Sequence, residues 1–179
     1  MRIAAMLLLA TLVGCNSAMT APREYLDERT AATITVVRDP WIFTREANAS
    51  SPQARQRDFL HLYAIDVNRM GEHRQYFAVQ QALPPEHRQP PVLELSAGTQ
   101  TTMLHAADVA AEDLGIAQPI AQSYTLSATW WYYPVDKRLL AKLANARDLQ
   151  AALVFDERLA YVPWRDGREE LAELTAILP

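Results

Sequence analysis

The chain has 179 residues, half of them apolar, and carries 17 Lys plus Arg against 21 Asp plus Glu, a formal net charge of −4. This length and apolar content predict one domain with a sizeable hydrophobic core. The same apolar content excludes an intrinsically disordered chain. The mildly acidic balance excludes the basic footprint of a nucleic-acid-binding protein, and a single cysteine excludes an internal disulfide.

The first residues have the pattern of an export signal. Arg2 gives a positive start, residues 3–13 are apolar except for Thr11, and the small residue Gly14 precedes the lone cysteine, Cys15. A membrane-spanning helix needs about 20 apolar residues, so this run is too short to span. It predicts a cleavable signal peptide instead.

The stretch Leu12-Val13-Gly14-Cys15 resembles the lipobox of bacterial lipoproteins. The resemblance implies that residues 1–14 are removed as a lipoprotein signal peptide. It also implies that Cys15 becomes the lipidated first residue, which attaches the chain to a membrane in the bacterial cell envelope, facing the periplasm. In that family, an Asp directly after the lipidated cysteine favours retention in the inner membrane. This chain has Asn16 at that position, which favours the outer membrane. An ordinary secretory signal beside a free thiol is the alternative.

The position of the signal divides the chain into three parts. Residues 1–14 are the predicted signal peptide, and residues 15–29 are the predicted lipidated N-terminus and flexible tether. Residues 30–179 are predicted to form a single globular, β-rich domain.

Four strands are predicted in the first half of this body. β-Branched residues are dense in Thr30–Arg38, and Asp39-Pro40 closes that segment with a turn. Residues 58–69 are apolar on both alternating faces, which predicts a strand buried on both sides, and Gly71 marks a hairpin turn to its partner. The predicted strands are 30–38, 41–45, 58–69 and 73–81, with a polar loop at 47–57.

The second half combines short strands with two helices. Residues 106–119 are either helix or loop, because Gly115 and Pro119 argue against a long helix. Asp136 is a predicted N-cap for a helix to about Ala146, and Asp166 with Glu169 resembles a capping box for a last helix. That last helix is predicted to turn Leu171, Leu174, Ile177 and Leu178 to the core. The predicted strands are 92–95, 99–104, 123–133, 149–155 and 159–164.

Eight or nine strands with two short helices predict a mainly β fold. The layout expected is an antiparallel β-sandwich, immunoglobulin-like, with one of the two helices at the C-terminus. An α+β open sheet with the helices packed on one face is the alternative.

No motif in the sequence predicts catalysis or a cofactor. Ser96 lies in Glu-Leu-Ser-Ala-Gly, which lacks the first glycine of a nucleophile elbow and is interpreted as a hairpin turn. The histidines have no metal-ligand spacing, so no metal site is predicted. They are His61, His73, His87 and His105.

Two features predict an interaction surface. The tip of the predicted hairpin carries several polar side chains. The guanidinium group of an arginine there could bind a carboxylate or a phosphate with two hydrogen bonds. A solvated turn that binds no ligand is the alternative. In Trp130-Trp131-Tyr132-Tyr133, alternation sends one pair to each face, so one pair could form an aromatic platform unless both faces are core. The predicted surface residues are Trp131, Tyr133, Arg69, His73 and Arg74.

The leading functional hypothesis is a lipid-anchored envelope protein that serves as a binding or assembly module, with an envelope protein or a glycan as partner and no nucleic acid. The body, from Thr30–Arg38 through His61–Arg69, resembles uncharacterised small bacterial envelope lipoproteins, a resemblance that implies no catalytic residue. An envelope hydrolase whose site is assembled only by folding and an accessory subunit of an envelope complex are the alternatives.

Overall fold

The fold is built on antiparallel strands, which a computed structural model describes over residues 21–53, 58–82, 89–122 and 128–179. In this part of the chain the helices are α1 (Lys137–Ala144) and α2 (Arg168–Ile177). The prediction of a mainly β, antiparallel, sandwich-like fold with two short helices, one of them C-terminal, is confirmed. The strands are β1 (Arg23–Asp27), β2 (Ala32–Val36), β3 (Trp41–Arg45), β4 (Phe59–Arg69), β5 (Glu72–Ala82), β6 (Val92–Ala97), β7 (Gln100–Leu104), β8 (Ala128–Val135), β9 (Leu149–Val154) and β10 (Arg158–Arg165).

The long hairpin β4–β5 is the centre of the sheet. β5 lies between β4 and β8, while the other edge of β4 is shared by β3 near Phe59 and by β2 near Asn68. β1 extends the sheet beyond β2, and from β3 the path continues through β10, β9, β6 and β7. The path turns back on itself, because Ala107, just after β7, donates its N–H to the Tyr132 carbonyl of β8 at 2.7 Å. Two layers linked through β3 and β4 therefore enclose one core.

The inner face of the central strands carries most of this core. Leu62, Ala64 and Phe77 lie against Leu171 of α2, which packs in turn on α1. Gly167 precedes α2, and a Cβ there would lie 3.0 Å from the backbone of Trp41, so the approach leaves no room for a side chain. Buried inner-face residues from both layers include Phe43, Leu60, Val79, Leu93, Leu95, Leu153, Leu159 and Tyr161.

The outer face of the same strands is covered over half of its length by the segment 106–122. This segment has no helix: residues 111–115 form turns and the rest is irregular, so of the two predictions left open for it the loop is correct. Leu114, Ile116 and Ile120 are buried, and a Cβ on Gly115 would lie 3.0 Å from Cγ1 of Val67. The segment therefore seals the β1–β2 end of the outer face.

Several sequence predictions need correction. β1 pairs with β2 over Arg23–Asp27, so these residues, predicted as part of the tether 15–29, belong to the sheet. The last helix has Gly167 at its N-cap, because Asp166 binds the side chain and backbone N–H of Arg168 instead of forming a capping box. Ile177 is exposed rather than in the core.

Some predictions concern residues outside the described part of the chain. These are the signal peptide 1–14, Cys15, Asn16, His87 and the start of the predicted strand 123–133. Among the described residues, none of the helices has the length and apolar character needed to cross a membrane.

Candidate functional site

Five aromatic rings form a line on the outer face, beyond the part sealed by the segment 106–122. Strand alternation places Phe59, His61 and Tyr63 of β4 on this face, and the register of β5 and β8 brings Trp130 alongside. Trp164 of β10 completes the line. Ring centroids are 6.0 Å apart for Trp164–Phe59, 6.5 Å for Phe59–His61, 6.5 Å for His61–Tyr63 and 5.6 Å for Tyr63–Trp130. We call these residues the aromatic row.

A β-bulge explains how Trp164 joins the row. Pro163 pairs with Phe43 and Arg165 pairs with Ile42, so Trp164 is the extra residue between two consecutive partners on β3. Bulges of this kind redirect a side chain and recur beside functional sites. Trp164 is 52% exposed, whereas Tyr63 is buried and the other three rings are half-buried. The row is therefore open to solvent at least at the Trp164 end.

Buried polar groups without partners lie in the same part of the outer face. Gln80 pairs with His61 on one side and with Trp130 on the other, so it projects outward between them. Its side chain is fully buried, and neither Nε2 nor Oε1 has a hydrogen-bond partner among the described residues. The same holds for Oγ1 of Thr44, which pairs with Phe59. A buried amide without partners costs about 1–3 kcal/mol, so its presence calls for an explanation.

The aromatic row is uncharged near neutral pH. Burial lowers the pKa of His61 to about 4, so its imidazole is neutral at pH 7. Burial also raises the pKa of the Tyr63 hydroxyl. Close to Tyr63, Arg165 is paired with Asp39 at 2.8 Å and lies 3.6 Å from Glu170, so these rim charges compensate one another.

Trp131 and Tyr133 do not form the exposed surface that was predicted for them. Both lie on the inner face, where Trp131 is 8% and Tyr133 0% exposed, and burial raises the pKa of the Tyr133 hydroxyl far above its usual range. That hydroxyl donates to the Pro91 carbonyl at 2.9 Å, which joins β8 to the start of β6. The outward member of the pair is Trp130, which alternation alone could not select because both faces have apolar neighbours.

The predicted hairpin residues are divided between the two faces. His73 lies on the inner face, with Nδ1 2.7 Å from Oδ2 of buried Asp66, and Gln75 donates to the other carboxylate oxygen at 2.7 Å. Arg74 lies on the outer face and binds Glu72 at 2.7 Å. Arg69, Glu72 and Arg74 line an open cavity of about 330 Å³ with Met70 and Leu114. The hairpin tip is therefore two local clusters rather than one site.

The His73–Asp66 pair has the geometry of two members of a catalytic triad. Among the described residues, however, the hydrogen bonds place no serine or threonine hydroxyl on His73. Ser96 bonds to the Thr101 hydroxyl at 3.0 Å across the β6–β7 hairpin, which confirms its interpretation as a hairpin residue. The described part of the chain also holds no cluster of three metal-ligating His, Cys, Asp or Glu side chains.

A third polar cluster lies where the inner face ends, and the sequence did not predict it. Gln81 donates through Nε2 to the Tyr161 hydroxyl and to Oδ1 of Asp58, the latter at 3.2 Å. Burial raises the pKa of Asp58. The hydrogen bond from Gln81 and the nearby charge of Arg45 both lower this pKa, but they offset only part of the rise. These side chains bind one another and close this end of the core.

Comparison with protein-family models, with curated proteins and with solved structures finds no match to this chain.

Proposed function

We propose that this chain is a lipid-anchored protein of the bacterial cell envelope whose β domain is a binding module, with the aromatic row as the binding face. The observation that carries the proposal is the alignment of five rings on the outer face beside a buried amide that has no partner among the described residues. Aromatic anchors dominate the energetics of interfaces, and Trp164 at the end of the row is 52% exposed.

The anchoring part of the proposal rests on the lipobox-like stretch that ends at Cys15. β1 begins at Arg23, so the chain between Cys15 and the domain can reach at most about 28 Å when fully extended. A lipid on Cys15 would hold the domain close to the bilayer surface. Asn16 favours the outer membrane as that bilayer.

Substitution of the cysteine tests the anchor. Cys15→Ser removes the thiol that would be acylated, so we expect an uncleaved precursor that incorporates no radiolabelled palmitate in growing cells. Conversion of the neighbouring Ser17 to Ala serves as the control and leaves labelling intact. A Cys15→Ser protein that is still processed and labelled would contradict the anchor.

Site-specific photo-crosslinking in intact cells tests the binding face. A photoreactive amino acid at Trp164 lies in the row, and one at Ile177 on α2 provides a control of similar exposure outside the row. We expect reproducible adducts, with protein or glycan, from position 164 and none of the same adducts from position 177. Identical adducts at both positions, or none at 164, would count against the binding face.

The alternative functions give different outcomes in the same experiment. Adducts from position 164 with the subunits of one complex would identify the chain as an accessory subunit, which is a more specific form of the same proposal. The hydrolase alternative has its best support in the His73–Asp66 pair, 2.7 Å apart. Since that pair lies on the inner face, its substitution is expected to leave adducts at position 164 unchanged.

A further inference from the structure

We propose that the cavity at the tip of the β4–β5 hairpin binds a small zwitterion, whose anionic group pairs with Arg69 and whose ammonium group pairs with Asp113. An α-amino acid has this charge pattern, and so does a phosphoethanolamine group. The cavity lies apart from the aromatic row, so this inference goes beyond the proposed function and does not depend on it.

The cavity forms where the hairpin tip meets the covering segment 106–122, and we call it the tip cavity. Its volume is about 330 Å³, and its charged lining residues are Arg69, Glu72, Arg74 and Asp113. Ligand pockets have volumes of about 300–1,000 Å³, so the tip cavity suits a small molecule.

Two of the four charges that line the tip cavity neutralise each other. Arg74 donates to the Glu72 carboxylate at 2.7 Å. Arg69 and Asp113, in contrast, take part in no ion pair or side-chain hydrogen bond among the described residues. Both side chains are exposed, so a ligand in the cavity can reach them.

Charged groups near the cavity on the β1–β2 turn also have partners within the fold. Arg29 lies 3.9 Å from the Glu112 carboxylate, and the Asp27 carboxylate accepts backbone N–H groups. The tip cavity therefore offers a ligand one guanidinium and one carboxylate.

The stem of Arg69 is held by packing. A Cβ on Gly115 would lie 3.2 Å from Cδ of Arg69, so this side chain lies directly against the covering segment. Asp113 belongs to the same segment, two residues before Gly115. The junction of hairpin and segment thus places both groups before a ligand arrives, which lowers the entropic cost of binding.

This combination of charges favours a zwitterion over other ligands. A simple anion would pair with Arg69 but would be repelled by Asp113, and a simple cation would meet the reverse. An uncharged ligand would displace water from both groups without replacing their ionic hydrogen bonds. A zwitterion supplies an anionic group for the planar fork of the arginine and an ammonium donor for the carboxylate.

Calorimetric titration of the purified full chain tests the inference with glycine, L-leucine, L-phenylalanine and glycerophosphoethanolamine. We expect at least one to bind, and preference for the last would identify a lipid headgroup rather than a free amino acid as the source. Forms that keep one charge should bind at least tenfold more weakly. For an amino acid these are the N-acetyl form and the amide, and for glycerophosphoethanolamine they are its N-acetyl form and ethanolamine. No binding of any probe at millimolar concentration, or equal binding of the singly charged forms, would overturn the inference.

Two variants assign the two charges of the ligand to their residues. Arg69→Gln keeps the side chain as far as Cδ and should weaken the zwitterion at least tenfold, while changing affinity for the form without an anionic group less than twofold. Asp113→Asn should likewise weaken the zwitterion and spare its N-acetyl form. If either variant weakens the spared form as strongly as the zwitterion, the assigned pairing is wrong and the inference is overturned.

Matched variants outside the tip cavity provide the controls. Arg138→Gln on α1 and Asp108→Asn on the covering segment remove exposed charges and should leave affinity for the zwitterion unchanged. Trp164→Ala in the aromatic row should also leave it unchanged, so the two proposals can fail separately. Equal losses in these controls and in the cavity variants would show that binding depends on overall charge or occurs elsewhere, and would overturn the inference.

Discussion

The two halves of the outer face use the same strands in opposite ways. In the half near β1, the segment 106–122 covers the sheet and is fixed to it by hydrogen bonds, chiefly through the buried carboxylate of Asp27. In the half near β3, the face carries the aromatic row, and Gln80 and Thr44 are buried there without partners among the described residues. Polar groups in the first half stabilise the fold through hydrogen bonds, whereas Gln80 and Thr44 in the second half have no such bond among the described residues to offset their burial.

Asp27 shows how completely the covered half is fixed. Its Oδ2 accepts the N–H groups of Ala117 at 2.6 Å and Gln118 at 2.7 Å, while its Oδ1 accepts those of Arg29 and Thr30. The carboxylate thus ties the β1–β2 turn to a segment about 90 residues away in the chain.

Removal of this carboxylate gives the largest expected effect. Asp27→Ala leaves four N–H donors without their acceptor, and we expect the free energy of unfolding to fall by about 3 kcal/mol in urea denaturation. The exposed neighbour is the control, since Glu28→Ala should change stability by less than about 0.5 kcal/mol. Equal effects of the two variants would show that the segment is not fixed through Asp27.

Acid should weaken the same contact. Desolvation alone would raise the pKa of Asp27, but the four backbone donors outweigh it and hold the pKa below its ordinary value. The stabilisation is therefore present above about pH 4 and is lost as the pH falls through the lower, folded-state pKa. We expect the native chain to lose more stability between pH 5 and pH 2 than Asp27→Asn does; parallel curves would contradict this.

A glycine tests how closely the segment lies on the sheet. Gly115 has φ +94°, and an added Cβ would meet Cγ1 of Val67 at 3.0 Å, so we expect Gly115→Ala to cost about 2 kcal/mol. Gly98 in the β6–β7 turn has φ +60° but nothing within 4 Å of such a Cβ, so Gly98→Ala should show only the backbone cost of about 1 kcal/mol. Thermal unfolding of both variants measures the difference that is due to packing.

The titration of His61 tests the half near β3, which carries the aromatic row. Because burial lowers its folded-state pKa to about 4, the unfolded chain takes up a proton between about pH 6.5 and pH 4 while the folded chain does not. The native chain should lose about 1–2 kcal/mol over this interval, allowing for partial exposure of the ring, and His61→Phe should lose less. Urea midpoints at pH 7, 5.5 and 4.5 provide the measurement. Equal losses would show that His61 is not desolvated.

The sequence correctly predicted the strands, turns and helix caps that depend on neighbouring residues in the chain. The predicted strand 41–45 coincides with β3, and the predicted N-cap Asp136 accepts the Leu139 N–H at 2.7 Å. The hairpin of β4 and β5 was predicted from the apolar residues and from Gly71, which has φ +88° in the turn.

Long-range contacts decided what the sequence could not predict. β1 has the sequence Arg-Glu-Tyr-Leu-Asp, with no β-branched residue, and it joins the sheet through pairing with β2 and through the contacts of Asp27. The choice between Trp130 and Trp131 depends on which side the second layer packs, and Trp164 reaches the row only because of the bulge in β10. Each of these features needs the tertiary structure.

The smallest expected effect compares one hydroxyl from each half. The Thr30 hydroxyl donates to the Gly115 carbonyl at 2.7 Å, so Thr30→Val should lower the free energy of unfolding by about 1 kcal/mol. The Thr44 hydroxyl is buried and has no partner among the described residues, so Thr44→Val should leave stability unchanged or raise it by about 0.5 kcal/mol. Urea denaturation of both variants in the same buffer measures the difference. If Thr44→Val lowers stability as much as Thr30→Val, the Thr44 hydroxyl is bonded within the folded chain. The half that carries the aromatic row would then resemble the covered half, with its buried polar groups bonded within the fold.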